Sequence, residues 1–158
     1  MPEFLTRTLD LELMLLGRLV AAAVLTGALG WERERAHKAA GLRTHMLVGI
    51  AAALFTALSE AVVARDGGAP ADLLRTVQAV ATGVGFLGAG VFFLPQGQNR
   101  VRGLTTAASI WAASAVGMCA GAGLYVLGTG AAVILLVVLH TLQRLVETPD
   151  DDVASSVP

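Results

Sequence analysis

The chain has 158 residues, 55% of them hydrophobic and 15% charged, with a mean hydropathy of +0.70. That is more apolar matter than one water-soluble core of this length needs, so the composition describes a membrane protein. A formal net charge of −1, with the basic residues in short clusters and not along one face, excludes nucleic acid as an expected partner, and a single cysteine, Cys119, excludes an internal disulfide.

Crossing a bilayer takes about 20 mostly apolar residues. Five windows qualify, at 11–30, 44–64, 74–94, 103–120 and 123–142, and unpaired peptide groups are so costly in lipid that each must be a helix. The expected fold is all-α, a polytopic bundle of five transmembrane helices occupying residues 1–143.

The first window begins after Arg7 and is followed by charges. It is too long for a signal-peptide core and is expected to stay as a membrane helix. Arg18 stands alone within it. A central arginine costs about 2.5–3.5 kcal/mol on insertion scales, so it should face the bundle. Glu60, near the end of the second helix, and Gln78, near the start of the third, are partners at similar depth, whereas Glu12 is on a different face. The pair is either a structural tie between helices or part of an outer gate or ion path.

The segment "GWERERAHKAAGLRTH", Gly30 to His45, joins the first two windows and carries the densest charge in the chain. Glu32, Arg33, Glu34 and Arg35 end the first helix, Arg43, Thr44 and His45 begin the second, and Arg102, Thr105 and Thr106 begin the fourth. Helix N-termini present unpaired N–H groups and a positive dipole end, which suit anions and carboxylates. Thr44 and Thr106 are expected to cap these ends or donate hydrogen bonds, and Glu32 to bridge to Arg43 or Arg102. The inner cluster of Glu32, Arg33, Arg43, Thr44, His45, Arg102, Thr105 and Thr106 is therefore the candidate site for a ligand or partner.

Three readings of that cluster stay open. Glu32, Glu34 and hydroxyls could hold a cation, although carboxylates beside arginines make a poor magnesium cage, and the metal is unassigned. The arginines and helix ends could take an anion or a partner's carboxylate. The charges could also serve orientation and internal salt bridges alone. His45 by itself reads as a hydrogen-bonded interface residue, and His140 in the fifth helix is expected to face a polar neighbour. No nucleophile with an organised base is present, so no enzyme activity and no cofactor are expected.

The third window contains "TGVGFLGAG", Thr82 to Gly90, with Ala81, Gly85 and Ala89 recurring every fourth residue and Gly88 beside them. Such a ridge of small residues lets another backbone approach. The fourth window answers with Ala107, Ala108, Ala112, Ala115 and a Gly117-x-x-x-Gly121 pair, and "GAG" at Gly121 to Gly123 forces a tight turn into the fifth. Helix packing is the main reading of these glycines, close approach of a solute the other. Phosphate-loop and dinucleotide patterns need a preceding strand and are not supported.

"GLRTHMLVGIAAA" from Gly41 and "GLTTAASIWAASA" from Gly103 share G-L-x-T. The first two helices are then a parallel duplicate of the third and fourth, or the likeness is the chance product of an alanine-rich and glycine-rich chain. Arg33, Arg35, Lys38, Arg43, Arg100, Arg102 and Arg144 fall on one side, and Arg7, Arg65 and Arg75 on the other. The positive-inside rule puts the larger group in the cytoplasm, with the N-terminus outside. The acidic segment 144–158 is expected to be a disordered cytoplasmic tail.

Three blocks in order, "GWERERAHKAAGLRTHMLVGIAAALF", "ATGVGFLGAGVFF" and "RVRGLTTAASIWAASAVGMCAGAGLY", resemble the signature blocks of the MgtC/SapB family of bacterial inner-membrane proteins, a likeness that runs from about Leu15 to Leu142. The resemblance implies a five-helix domain in the inner (plasma) membrane and a regulatory or adaptor role in magnesium homeostasis or low-magnesium adaptation. It also implies action on other membrane proteins such as the F-type ATP synthase, with transport of an ion or small solute as the alternative. The family's polar positions fall on Arg18, Glu32, Arg33, Arg43, Thr44, His45, Arg102, Thr105, Thr106 and Trp111. Longer members carry an ACT-type cytosolic domain after the fifth helix, and here only the short acidic tail is expected in its place. The small-residue faces, Ala81, Gly85, Gly88, Ala89, Gly117 and Gly121, make a homo-oligomer the expected state. The partners expected are the lipid bilayer, further copies, a membrane protein and an ion.

Overall fold

A computed structural model describes residues 2–92 and 103–146. It is all-helical, with α1 Pro2–Arg35, α2 Leu42–Asp66, α3 Pro70–Phe92, α4 Leu104–Gly121 and α5 Tyr125–Val146. α1 to α4 each contain a stretch long and apolar enough to cross a membrane; the apolar stretch of α5, Tyr125–Thr141, is shorter. α1 is longer than its apolar window. It runs through "GWERER" to Arg35, and at about 1.5 Å per residue its 34 residues exceed the roughly 30 Å hydrocarbon core.

Local chemistry sets the helix ends. α1 stops in a Schellman-type turn, in which the Lys38 N–H donates to the Arg33 carbonyl (3.1 Å) and the His37 N–H to Glu34 (3.0 Å). The left-handed position of that turn is filled by His37 (φ 52) where glycine is usual. α4 ends in the same way, with Leu124 N–H on Cys119 (2.8 Å), Gly123 N–H on Ala120 (3.0 Å) and Gly123 at φ 73. α3 opens with Pro70 at its first turn, while the Asp72 carboxylate reaches back to the Ala69 N–H (3.1 Å), half of a capping box.

Two expected caps are corrected. Gly41 and Gly103, not Thr44 and Thr106, occupy the N-cap positions of α2 and α4, and neither end has a cap bond from its own N-cap side chain. The threonines lie three residues inside, where they are part of the helix. The oxygen that serves α2 comes from α1: the Glu34 carboxylate accepts the Leu42 N–H at 2.8 Å.

α4 is the hub. Half of its spanning stretch is buried, against 17–28% for α1, α2 and α3, and it touches all four other helices. Gly117 and Gly121 make this possible, because a Cβ on either would collide with the α2 backbone, at Gly49 and Ala53 respectively. The two backbones therefore lie in direct contact. The Gly117–Gly121 pair thus packs on α2, and the expectation that it answers the α3 ridge is corrected. α3 meets α4 through Gly88, whose position faces Ala107 at 3.5 Å, while a Cβ on Gly85 would meet nothing within 4 Å. Among the described residues Gly85 therefore has no packing partner at its Cβ position; Ala81 and Ala89 are partly buried.

Small apolar clusters fill the remaining contacts. Leu29, Ala113, Val116 and Ala132 join α1, α4 and α5; Ala22, Ala53 and Ala120 join α1, α2 and α4; Ala40, Val84 and Ile110 join the α1–α2 connection to α3 and α4.

Candidate functional site

The cluster forms where the last turns of α1 and the first turns of α2 and α4 converge. Gly30 lets α1 and α2 close on each other, since a Cβ there would lie 2.7 Å from the Leu42 Cα and 2.9 Å from the His45 Cβ. Arg33 is then carried inward and is 1% exposed. Its Nε and Nη2 donate to the two oxygens of Glu32 at 2.5 and 2.9 Å, a bidentate pairing that suits a guanidinium and a carboxylate. Glu32 thus pairs with its own neighbour, and the expected bridge to Arg43 is corrected: Arg43 is exposed. Neighbouring side chains on a helix diverge by about 100°, and these two long ones curl back to meet. Arg102, the other expected partner, lies outside the described residues.

His45 is wholly buried and ties α2 to α4. Its Nδ1 is 2.8 Å from the Gly41 carbonyl, an acceptor, so Nδ1 carries a proton. Nε2 is 3.1 Å from the Ser109 hydroxyl, and that hydroxyl lies 2.8 Å from the Thr106 carbonyl. A hydroxyl has one proton. With a neutral ring it donates to Nε2 or to Thr106; with a charged ring Nε2–H donates to Ser109 and Ser109 to Thr106.

The structure therefore brings together Glu32, Arg33, His45 and Thr106 and adds Ser109, which the sequence reading lacked. The signal was present, since Ser109 is three residues from Thr106 and shares its helix face. Thr105 and Arg43 are exposed, Thr44 is partly buried, and Trp111 is 53% exposed. His140 is exposed.

At the other end of α4, Arg18 donates to the Glu60 carboxylate and, at 2.8 Å, to the Gly121 carbonyl. One guanidinium thereby joins α1 and α2 and covers the last carbonyl of α4, which has no helical partner. Gln78, the other expected partner of Arg18, is exposed on α3 and is not part of this group. α3 is held at this end by the Thr76 hydroxyl donating to Ser59 at 2.8 Å. Among the described residues no three His, Cys, Asp or Glu side chains are grouped to hold a metal ion.

The family model described as the MgtC family matches residues 19–148, a stretch that contains α2 to α5 and the whole inner cluster. The chain belongs to the MgtC family. Among its relatives, YhiD of Escherichia coli K12, whose name proposes a magnesium transporter, is 46% identical over 131 residues, covering 81% of this chain and 60% of YhiD. The MgtC protein of Brucella abortus strain 2308 is 41% identical over 129 residues, covering 82% of this chain and 51% of that protein. The SrpB protein of Synechococcus elongatus is 40% identical over 135 residues, covering 81% of this chain and 74% of SrpB. The chain thus spans about half to three-fifths of the first two relatives. No solved structure matches it. Arg18, one residue before the matched stretch, belongs to the same bundle by its contacts.

Proposed function

We propose that this MgtC-family chain is a regulatory or adaptor protein of magnesium homeostasis that acts through helix contacts with other membrane proteins, the F-type ATP synthase among them, and not as a catalyst. The observation that carries this is the closure of the inner cluster. Glu32 and Arg33 pair with each other within α1, and His45, bonded to Gly41 at the start of α2, reaches across to Ser109 of α4, so the carboxylate and guanidinium are met inside the chain and His45 is a joint between helices. Five membrane crossings, an outer N-terminus, a cytoplasmic C-terminus, residence in the inner membrane and self-association complete the reading. The assay is ATP-driven proton pumping by ATP synthase in vesicles with and without this protein. A changed rate supports the regulatory role, and an unchanged rate at equal incorporation contradicts it.

A second reading, transport of magnesium or another small ion, is favoured by the name of YhiD and by the intramembrane Arg18–Glu60 pair. Its test is magnesium flux into proteoliposomes. Transport predicts a flux that Arg18→Ala and Glu32→Ala diminish, whereas an adaptor gives no flux above that of empty vesicles.

A further inference from the structure

α2 and α3 touch near their connecting turn and again around Val84, and between them a groove of about 900 Å³ opens along most of their length. Its walls are apolar, including Ala52, Phe55, Val80, Gly83 and Leu87, while Asp66 and Asp72 line the end beside the α2–α3 turn. That turn lies where the apolar spans of α2 and α3 end. The groove therefore passes from hydrocarbon depth to a charged mouth at one membrane surface.

Each of the two carboxylates that line the mouth is coupled to an arginine just outside the lining. Arg65 pairs with Asp66 (2.8 Å) and Arg75 with Asp72 (3.2 Å), and both arginines are 79% exposed. The Arg65–Asp66 pair uses two N–H groups, Nε and Nη2, and the Arg75–Asp72 pair uses Nη1. A guanidinium has five N–H donors and each carboxylate oxygen two lone pairs, so donors and acceptors remain on both couples. Their charges sum to zero, with two guanidiniums suited to a phosphate and two carboxylates suited to an ammonium that donates hydrogen bonds. The deeper hydroxyls, Thr76 and Ser59, are bonded to each other.

We propose that this groove is a binding site for a phospholipid with a primary-amine zwitterionic head, of the phosphatidylethanolamine type. The acyl chain lies between α2 and α3, the phosphate on Arg65 and Arg75, and the ammonium on Asp66 and Asp72. An anionic glycerol head leaves the carboxylates facing a phosphate with no ammonium between them. A choline head carries an ammonium without N–H and makes no hydrogen bond to them. The site is independent of whether the chain regulates or transports.

The test is lipid retention by the full chain, purified in mild detergent after equilibration with vesicles holding equal amounts of phosphatidylethanolamine, phosphatidylcholine and phosphatidylglycerol, with bound lipid counted by native mass spectrometry. Phosphatidylethanolamine is expected to be enriched about threefold to fivefold over the other two, the range that one or two exposed charge contacts support. Asp66→Asn with Asp72→Asn should erase that preference while lipid still binds. Gly83→Leu should lower retention of all three lipids, because a Cβ at Gly83 meets nothing within 4 Å and the added side chain fills the groove without striking the protein. Equal retention of the three lipids by the wild type overturns the proposal, as does undiminished retention by Gly83→Leu. So does cross-linking that seats a helix of a second copy in the groove; the Asp variants, at an exposed turn, read out the head contacts whether or not Gly83→Leu folds.

Discussion

Ser109 carries the clearest consequence at the scale of single residues. It is the only side chain bonded to the Nε2 of a wholly buried imidazole among the described residues. Ser109→Ala should therefore cost about 1–3 kcal/mol, the price of a buried polar group left unpaired, in reversible unfolding from lipid–detergent micelles. Thr105→Ala, at an exposed position of the same helix turn, should stay within about 0.5 kcal/mol of wild type. His37 offers the opposite sign. Its backbone sits at φ 52 in the closing turn of α1, where an L side chain is disfavoured by about 1 kcal/mol or more. His37→Gly should raise stability by up to that amount in the same measurement, and an unchanged or lowered value contradicts the strain argument. The sequence made Arg18–Glu60 legible because a lone intramembrane guanidinium has few partners at its depth. It left Glu32 misassigned because three arginines were within reach in principle, and only the fold shows that Arg33 turns inward while Arg43 turns out. Ser109 was hidden because a serine in an alanine-rich helix reads as a small filler.

Among the helices, the glycines of α3 and α4 look alike in the sequence and behave differently in the bundle. Gly117 lies against the α2 backbone, and Gly85 has nothing within 4 Å of its Cβ position among the described residues. Gly117→Ala should therefore push α2 from α4 and cost about 2 kcal/mol or more, in the manner of overpacking against atoms that cannot move aside. Gly85→Ala should be neutral or stabilising by about 0.5–1 kcal/mol, the helix-propensity gain alone. Equal effects at the two positions would contradict the packing described. Spacing reveals that a helix has a narrow face but not which neighbour uses it, which is why the existence of all five helices was legible and the partner of the Gly117–Gly121 pair was not. The helix ends were partly legible. Pro70 and Gly67 mark the α2–α3 turn by their own chemistry, whereas a closing turn built on His37 has no glycine to announce it.

Across the whole molecule, α4 is fixed at both ends by polar groups from other helices. The His45–Ser109 bond holds its first turns to α2, and Arg18 holds its last carbonyl to α1 and, through Glu60, to α2. Between those ends the contact is backbone on backbone at Gly117 and Gly121. The MgtC-family match covers this arrangement from residue 19 onward, with Arg18 one residue before it. Arg18 pairs with Glu60 and Arg33 with Glu32, so these charges within the bundle are compensated inside the chain. An Arg18→Leu and Glu60→Leu double-mutant cycle, followed by reversible unfolding in lipid–detergent micelles, tests this most directly. A favourable coupling of about 1 kcal/mol or more is expected, and additivity within about 0.3–0.5 kcal/mol would contradict it.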